Sequence, residues 1–343
     1  MNKINPSIKI LSLDGGGIRA SYVQLLILEE IEKICKIPIK KLFNFIIGTS
    51  AGAILGSNIT YDKENESLKE FKNSILVVKN IIIKNNICNL LFNHYRVPIN
   101  RIYNNLLLHN PCMNYYNNIP PTAELNDNNY TPYFSNIICK MIDNNWQPYI
   151  IRNYDVDDKI CQNNNIKIKN LGSNQWNLLD QCWATCAIPT MFKEFTDSSN
   201  NKYIDYSFIN INPLLIGIQE VLHVFPKKNI DLIVSIGNTN IDKVNQNNKI
   251  DLCYWLKEVI NFKNKNSESQ NDRETVNIYI NNILNNNGKL PLYIRFCPNF
   301  NNYFNPLETD TTKIIIFIKE IRQWISDNQE PFIILKNFFE TNN

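Results

Sequence analysis

Two short segments of this sequence carry residue types that could do chemistry. Gly48-Thr49-Ser50-Ala51-Gly52 fits the pattern G-x-S-x-G. In a nucleophile elbow the serine sits on a cramped strand-to-helix turn, and small flanking residues let the backbone bend while Oγ stays accessible. An apolar stretch, residues 43–47, precedes Ser50, and small residues follow it. The helix that follows would present free N–H groups and a favourable dipole to developing negative charge. The alternative is a structural turn with Ser50 as a helix N-cap. The second segment, Asp14-Gly15-Gly16-Gly17-Ile18-Arg19, places three glycines in a row. Without Cβ atoms, Gly15, Gly16 and Gly17 can turn successive N–H groups toward one point, a nest suited to a phosphate or an oxyanion.

Gly15, Gly17 and Ala20 also satisfy the dinucleotide fingerprint G-x-G-x-x-G/A. That fingerprint calls for an acidic residue at the end of the second strand. Here the second strand runs into the Ser50 elbow instead, so the oxyanion reading is preferred. No Gly-Lys-Ser/Thr follows the glycines, which excludes a Walker phosphate loop.

An activated serine needs a group to take its proton. The three histidines are His94, His109 and His223, none in a strand-end loop with small neighbours. His223 falls late in an apolar helical pattern and reads as a packing residue, yet Ser50, an acid and His223 would follow the chain order of a Ser–Asp–His hydrolase. Asp205 ends a short apolar stretch, Tyr203-Ile204-Asp205. A carboxylate of ordinary pKa, about 3.9, is a poor base and becomes useful only when its surroundings raise its proton affinity. Taken alone, Asp205 could equally be a turn-former.

The elements that must position these residues follow from periodicity. Residues 8–13 read as a buried strand, 18–34 as a helix, 42–47 as a second strand, and 51–55 as the opening of another helix. This alternation implies an α/β fold with a mainly parallel central sheet and covering helices. Residues 57–147 mix helical stretches (68–85, 100–108) with Asn- and Pro-rich loops and read as an insertion or lid. Further on come a strand at 148–154, a helix at 175–184, a strand ending at Asp205, a helix at 213–224, strands at 231–236 and 292–296, and an amphipathic helix at 313–325. The 343 residues are expected to form one domain, with core motifs at 8–56 and 148–240 and a C-terminal part at 241–343.

Bulk composition narrows the function classes. A net charge of +3 lacks the concentrated basic stripe that nucleic-acid binding needs. Nine scattered cysteines without metal-type spacing point to free thiols in a reducing, cytoplasmic setting. No apolar stretch reaches membrane-spanning length. Any membrane contact is therefore expected to be peripheral, with the aromatic-rich stretches Leu90-Leu91-Phe92 and Tyr115-Tyr116 as candidate contacts.

Taken together, the motifs resemble the patatin-like phospholipase family. That family has a D-G-G-G-x-R-G oxyanion loop, matched here by residues 14–19, and a G-x-S-x-G elbow, matched by residues 48–52. It completes the site with an Asp in a later D-G-G or D-G-A motif. Trp183 to Phe192 resembles its A-T-S-A-A-P-T-Y-F segment. Tyr203-Ile204-Asp205 followed by Asn212-Pro213 resembles its F-x-D-G-G…N-N-P segment, and Ser235 to Thr239 its S-L-G-T-G turn. Residues 150–154 are similar to a strand of some members. The resemblance implies a three-layer fold and calcium-independent hydrolysis of phospholipid or other acyl-lipid esters by a Ser50–Asp205 dyad. Gly15, Gly16 and Gly17 would form the oxyanion hole, Gly48 and Gly52 the elbow, and Arg19 would orient loop or substrate, with no metal or cofactor. The sequence identifies no activating protein partner. Two departures stand out: Ala20 replaces a glycine, and Tyr206 stands where the family has the first glycine after Asp205. If that position needs a glycine-only backbone angle, Tyr206 would be strained. A loss of activity, leaving a lipid-binding module, is then the alternative.

Overall fold

The computed structural model describes residues 7–61, 130–156, 171–189, 194–226, 228–238, 290–300 and 310–342, with isolated positions between them. Strand β1 (Ile8–Leu13) leads through the glycine loop into α1 (Gly17–Cys35). A short helix α2 (Ile39–Leu42) precedes β2 (Phe45–Gly48), and the elbow opens α3 (Ala51–Tyr61). The hairpin β3 (Tyr133–Ile142) and β4 (Asn145–Arg152) follows, then the two-residue strand β5 (Gly172–Ser173) and α4 (Leu178–Thr185). Strands β6 (Phe195–Thr196) and β7 (Lys202–Asp205) form a small hairpin before α5 (Leu214–Val224). Last come β8 (Ile230–Ile236), β9 (Leu292–Phe296), α6 (Thr311–Asp327) and α7 (Glu330–Asn342).

The main sheet path runs β5-β4-β3-β2-β1-β8-β9. β1 pairs in parallel with β2 and β8, as do β2 with β3 and β8 with β9, while β4 and β7 run antiparallel to β3. Central strands buried on both faces read as mainly apolar runs, as Ile8–Leu13 does despite Lys9 and Ser12. Alternate residues feed two cores. Leu11, Leu13 and Ile46 pack with α1, α3, α6 and α7, whereas Ile10, Phe45 and Ile47 pack with α5. The result is the expected three-layer α/β architecture. Because the chain moves from β1 to β2 on one side and later places β8 on the other, the carboxyl end of β1 is a topological switch point, where such sheets bind ligands.

Two expectations are corrected here. The second strand does not begin at residue 42: Leu42 closes α2, and β2 starts at Phe45. Residues 133–142, read as part of an insertion, are instead the longest strand of the sheet. Ser135 and Asn136 interrupt its apolar pattern because they serve internal hydrogen bonds, to the Tyr154 hydroxyl at 2.7 Å and the Gln181 carbonyl at 3.3 Å. Asp143 and Asn144, both at positive φ (48° and 60°), form the tight turn into β4, a role these residue types tolerate. The helices expected at 100–108 and over most of 68–85, the candidate membrane stretches, His94 and His109 all lie outside the described residues.

Candidate active site

Positioning of the site starts with β3, whose ten residues offer one edge to two different strands. Residues 133–136 pair with β2, and residues 138–140 pair with β7. The ends of β2 and β7 thus face each other along one strand, with Gly48 opposite Asn136 and Asp205 opposite Ile138. The chain leaving β2 turns at Ser50, whose hydroxyl is among the groups that act on the Asp205 carboxyl.

Ser50 adopts φ 52°, a left-handed conformation that costs energy for a residue with a Cβ. Close packing holds it there. A Cβ on Gly48 would come within 2.6 Å of the Gly52 and Ala53 backbone, and one on Gly52 would collide with the Leu13 and Asp14 carbonyls. Both glycines are therefore required by contact. The Thr49 hydroxyl donates to the Ile137 carbonyl at 2.9 Å. The Ser50 amide donates to the Thr185 hydroxyl at 2.8 Å, and the Asp205 amide to the Ala187 carbonyl at 3.1 Å. The end of α4 therefore ties both site residues. In the sequence Thr185 stands only within the family-like segment 183–192. Its isolated polarity before Cys186-Ala187-Ile188 was the signal available.

Asp205 is fully buried. Burial pushes its pKa up to about 6, against the opposing pull of the Ser50 hydroxyl, the Ser207 amide and hydroxyl, and the Thr49 hydroxyl. The Ser207 amide donates to Oδ1 at 2.7 Å, while Oδ2 completes no hydrogen bond. Tyr206 is not strained: it begins a single 3-10 turn capped by Asp205, without a positive φ, and its ring is buried in the α5-side core.

The glycine loop is held from behind. Arg295, on β9, makes a bidentate ion pair with Asp14 (2.9 and 2.6 Å) and donates to Ser235 at 2.6 Å. Burial works against the Arg295 charge, but the Asp14 carboxylate outweighs it, so Arg295 binds its proton more tightly than a free arginine. Gly16 (φ 139°) and Gly17 (φ 63°) take backbone angles that favour glycine, and Asn238 packs so closely over Gly16 that a Cβ would overlap its amide.

One expected donor is committed elsewhere, and Arg19 makes the loop-side contact of the two open to it. The Gly15 N–H is committed to the Ile211 carbonyl at 2.9 Å, so the candidate oxyanion donors reduce to Gly16 and Gly17. What Gly15 supplies is space, since a Cβ there would overlap the Ser207 hydroxyl and lie 3.3 Å from Ser50 Cβ. Arg19 is buried and engaged within the protein. It is 3% exposed, with Nε donating to Asn238 at 2.8 Å and Nη1 to the Phe304 carbonyl at 3.3 Å. It orients the residue that covers Gly16.

His223 lies at the C-terminal end of α5, beside Phe225, which packs on Phe45 and Tyr133 at the starts of β2 and β3. Ser50 follows the other end of β2, so His223 is on the opposite rim of the sheet. Among the described residues no three His, Cys, Asp or Glu groups gather as a metal site, and no helix is long and apolar enough to cross a membrane. Cys35, Cys139, Cys182, Cys186 and Cys297 form no disulfide.

The family model for patatin-like phospholipase matches residues 11–218 of this chain. That interval holds the glycine loop, the elbow and Asp205, and ends before Asn238 and Arg295. Among solved structures, VipD from Legionella pneumophila is similar at 12% identity over 94% of this chain and 67% of that one, with a TM-score of 0.33. No curated protein matches the chain.

Proposed function

The chain belongs to the patatin-like phospholipase family, and from that premise we propose that it is a lipid acyl hydrolase, cleaving carboxylic esters through an acyl-enzyme on Ser50 with Asp205 as base. The observation that carries this reading is the end-on meeting of β2 and β7 along β3, which sets a strained serine against a buried carboxyl. A base works best when its pKa lies near the working pH, and a value about 6 suits Asp205 to receive and return a proton at neutrality.

Ser50 Oγ attacks the ester carbonyl carbon while its proton passes to Asp205. The carbonyl oxygen becomes an oxyanion, held by the Gly16 and Gly17 N–H groups. Removing a donor of this kind typically costs about a hundredfold or more in rate. When the tetrahedral intermediate collapses, the C–O bond to the alcohol breaks and Asp205 returns the proton to the leaving oxygen. Water then attacks the acyl-Ser50 ester, giving a proton to Asp205; collapse breaks the bond to Ser50 Oγ, Asp205 returns the proton to that oxygen, and the fatty acid leaves. No step requires calcium.

Two alternatives lose support. The Ser–Asp–His triad would need His223 at the other rim of the sheet. The impaired lipid-binding module rested on strain at Tyr206, which adopts no left-handed angle. Phospholipid is the proposed substrate class, met in transient contact with a membrane surface. Labelling with a fluorophosphonate, alongside lipid profiling of wild type, Ser50→Ala and Asp205→Asn, tests the reading. Labelling confined to Ser50, and lysolipid plus fatty acid released by wild type alone, are expected. Sustained hydrolysis by Ser50→Ala would refute it. Vesicle flotation tests the surface contact.

A further inference from the structure

Beyond the dyad, one hydroxyl at the site has no assigned task. Ser207 stands at the second residue after Asp205, where the family pattern carries glycine or alanine. Its Oγ is buried and completes no hydrogen bond, and the same is true of Asp205 Oδ2. A buried hydroxyl without a partner costs free energy, so two such atoms in one turn call for an explanation. The small volume that a Gly15 side chain would fill is bounded by Ser207 Oγ and Ser50 Cβ. Ser207 Oγ therefore sits among the glycine loop, the nucleophile and the carboxylate.

We propose that Ser207 is a positioning residue of the hydrolase site: its hydroxyl closes on the Asp205 carboxylate when that group is charged, and with its own amide keeps the anion aimed at Ser50. This inference rests on the Ser50–Asp205 reading. The Ser207 amide already anchors Oδ1 at 2.7 Å. The hydroxyl already lies close enough to pull the Asp205 pKa down, though it completes no well-formed hydrogen bond, so closing that contact would add a second donor. The other groups facing the carboxylate are the hydroxyls of Ser50 and Thr49. From β3 comes apolar Ile138, and the Ala187 carbonyl binds the Asp205 amide. The charged residues of the neighbouring elements, Asp14 with Arg295 and Arg152 with Glu220, are closed as ion pairs. Ser207 is thus the hydroxyl outside the elbow that favours the anion, consistent with its share in holding the Asp205 pKa down.

The test is the pH profile of kcat/KM for p-nitrophenyl butyrate hydrolysis by the full chain. A hydrogen bond to a charged group is worth about one pKa unit. Ser207→Ala should move the acid limb up by about one unit, lowering activity roughly five- to tenfold at pH 5.5 and less than twofold at pH 8, with the melting temperature little changed. Ser207→Thr, which keeps the hydroxyl, should retain the wild-type limb. An unmoved limb in Ser207→Ala overturns the inference, including the case of a uniform loss at all pH values, which would mark Ser207 as an oxyanion donor. Ser50→Ala and Asp205→Asn run in parallel. If either keeps activity, the dyad itself falls; if both are inactive and the Ser207→Ala limb does not move, only the role of Ser207 falls.

Discussion

Ser50, two residues past the end of β2, and Asp205, the last residue of β7, are positioned by strands that share one edge of β3, with Gly48 opposite Asn136 and Asp205 opposite Ile138. Two residues along a strand span about 7 Å. The gap between the ends of β2 and β7 is therefore about the width of a turn and two side chains. That spacing belongs to the sheet, and it makes the site a property of backbone pairing before any side chain is considered.

The first prediction concerns pH. Asp205 must be ionised to accept the Ser50 proton, and its pKa is raised to about 6. The kcat/KM profile should be flat above pH 7 and fall about tenfold per unit below pH 6. Hydrolysis followed from pH 4.5 to 8.5 checks this, and a limb near pH 4 would mean the base is not buried.

Stability should move the opposite way when that carboxyl is removed. A folded-state pKa above the unfolded 3.8 means the fold favours the protonated form. Its contribution is intact below pH 3.8 and is lost as pH rises through about 6. Above that, the cost of burying the anion approaches about 3 kcal/mol. Asp205→Asn should abolish hydrolysis yet raise the melting temperature at pH 8, with no gain at pH 4. Thermal denaturation at both pH values reads this out.

Breaking the clamp behind the glycine loop should be costly. Asp14 and Arg295 are buried and paired across 281 positions of sequence. Arg295→Met strands a buried carboxylate and should cost about 3–5 kcal/mol. Adding Asp14→Asn should recover much of that, because no uncompensated charge remains. Urea unfolding of the two variants measures the difference.

Elbow packing supplies a fourth prediction. A methyl group on Gly52 meets the Leu13 and Asp14 carbonyls, which belong to β1 and the glycine loop and cannot swing away. Gly52→Ala should destabilise by about 1–3 kcal/mol or more and reduce fluorophosphonate labelling of Ser50. His223→Asn should alter neither.

Thr185→Val removes the acceptor of the Ser50 amide while keeping the side-chain shape. An orphaned buried N–H costs about 1–3 kcal/mol. The elbow should loosen, lowering kcat more than it changes KM.

Much of this molecule could be read from sequence because its signals are local. A glycine that must bend a turn, an apolar run that must be a buried strand, and the strand–turn–helix context of Ser50 each depend on a few neighbouring residues. The strand at 8–13, the helix after the glycine loop, the elbow, the strand ending at Asp205 and the late strand at 292–296 all emerged this way. The ten-residue β3 did not, because Ser135 and Asn136 are polar for the sake of partners 19 and 45 positions away. For Arg19 the sequence leaves loop and substrate both open as targets, since nothing nearby announces Asn238 or the Phe304 carbonyl. Gly15 looked like a donor because its N–H partner, the Ile211 carbonyl, is remote in the chain. Sequence alone settled which residues are able to bend, pack or react. The tertiary structure decided which of them meet, because hydrogen bonds and ion pairs between distant segments leave no periodicity in the chain and exist only once the sheet has brought its strands into register.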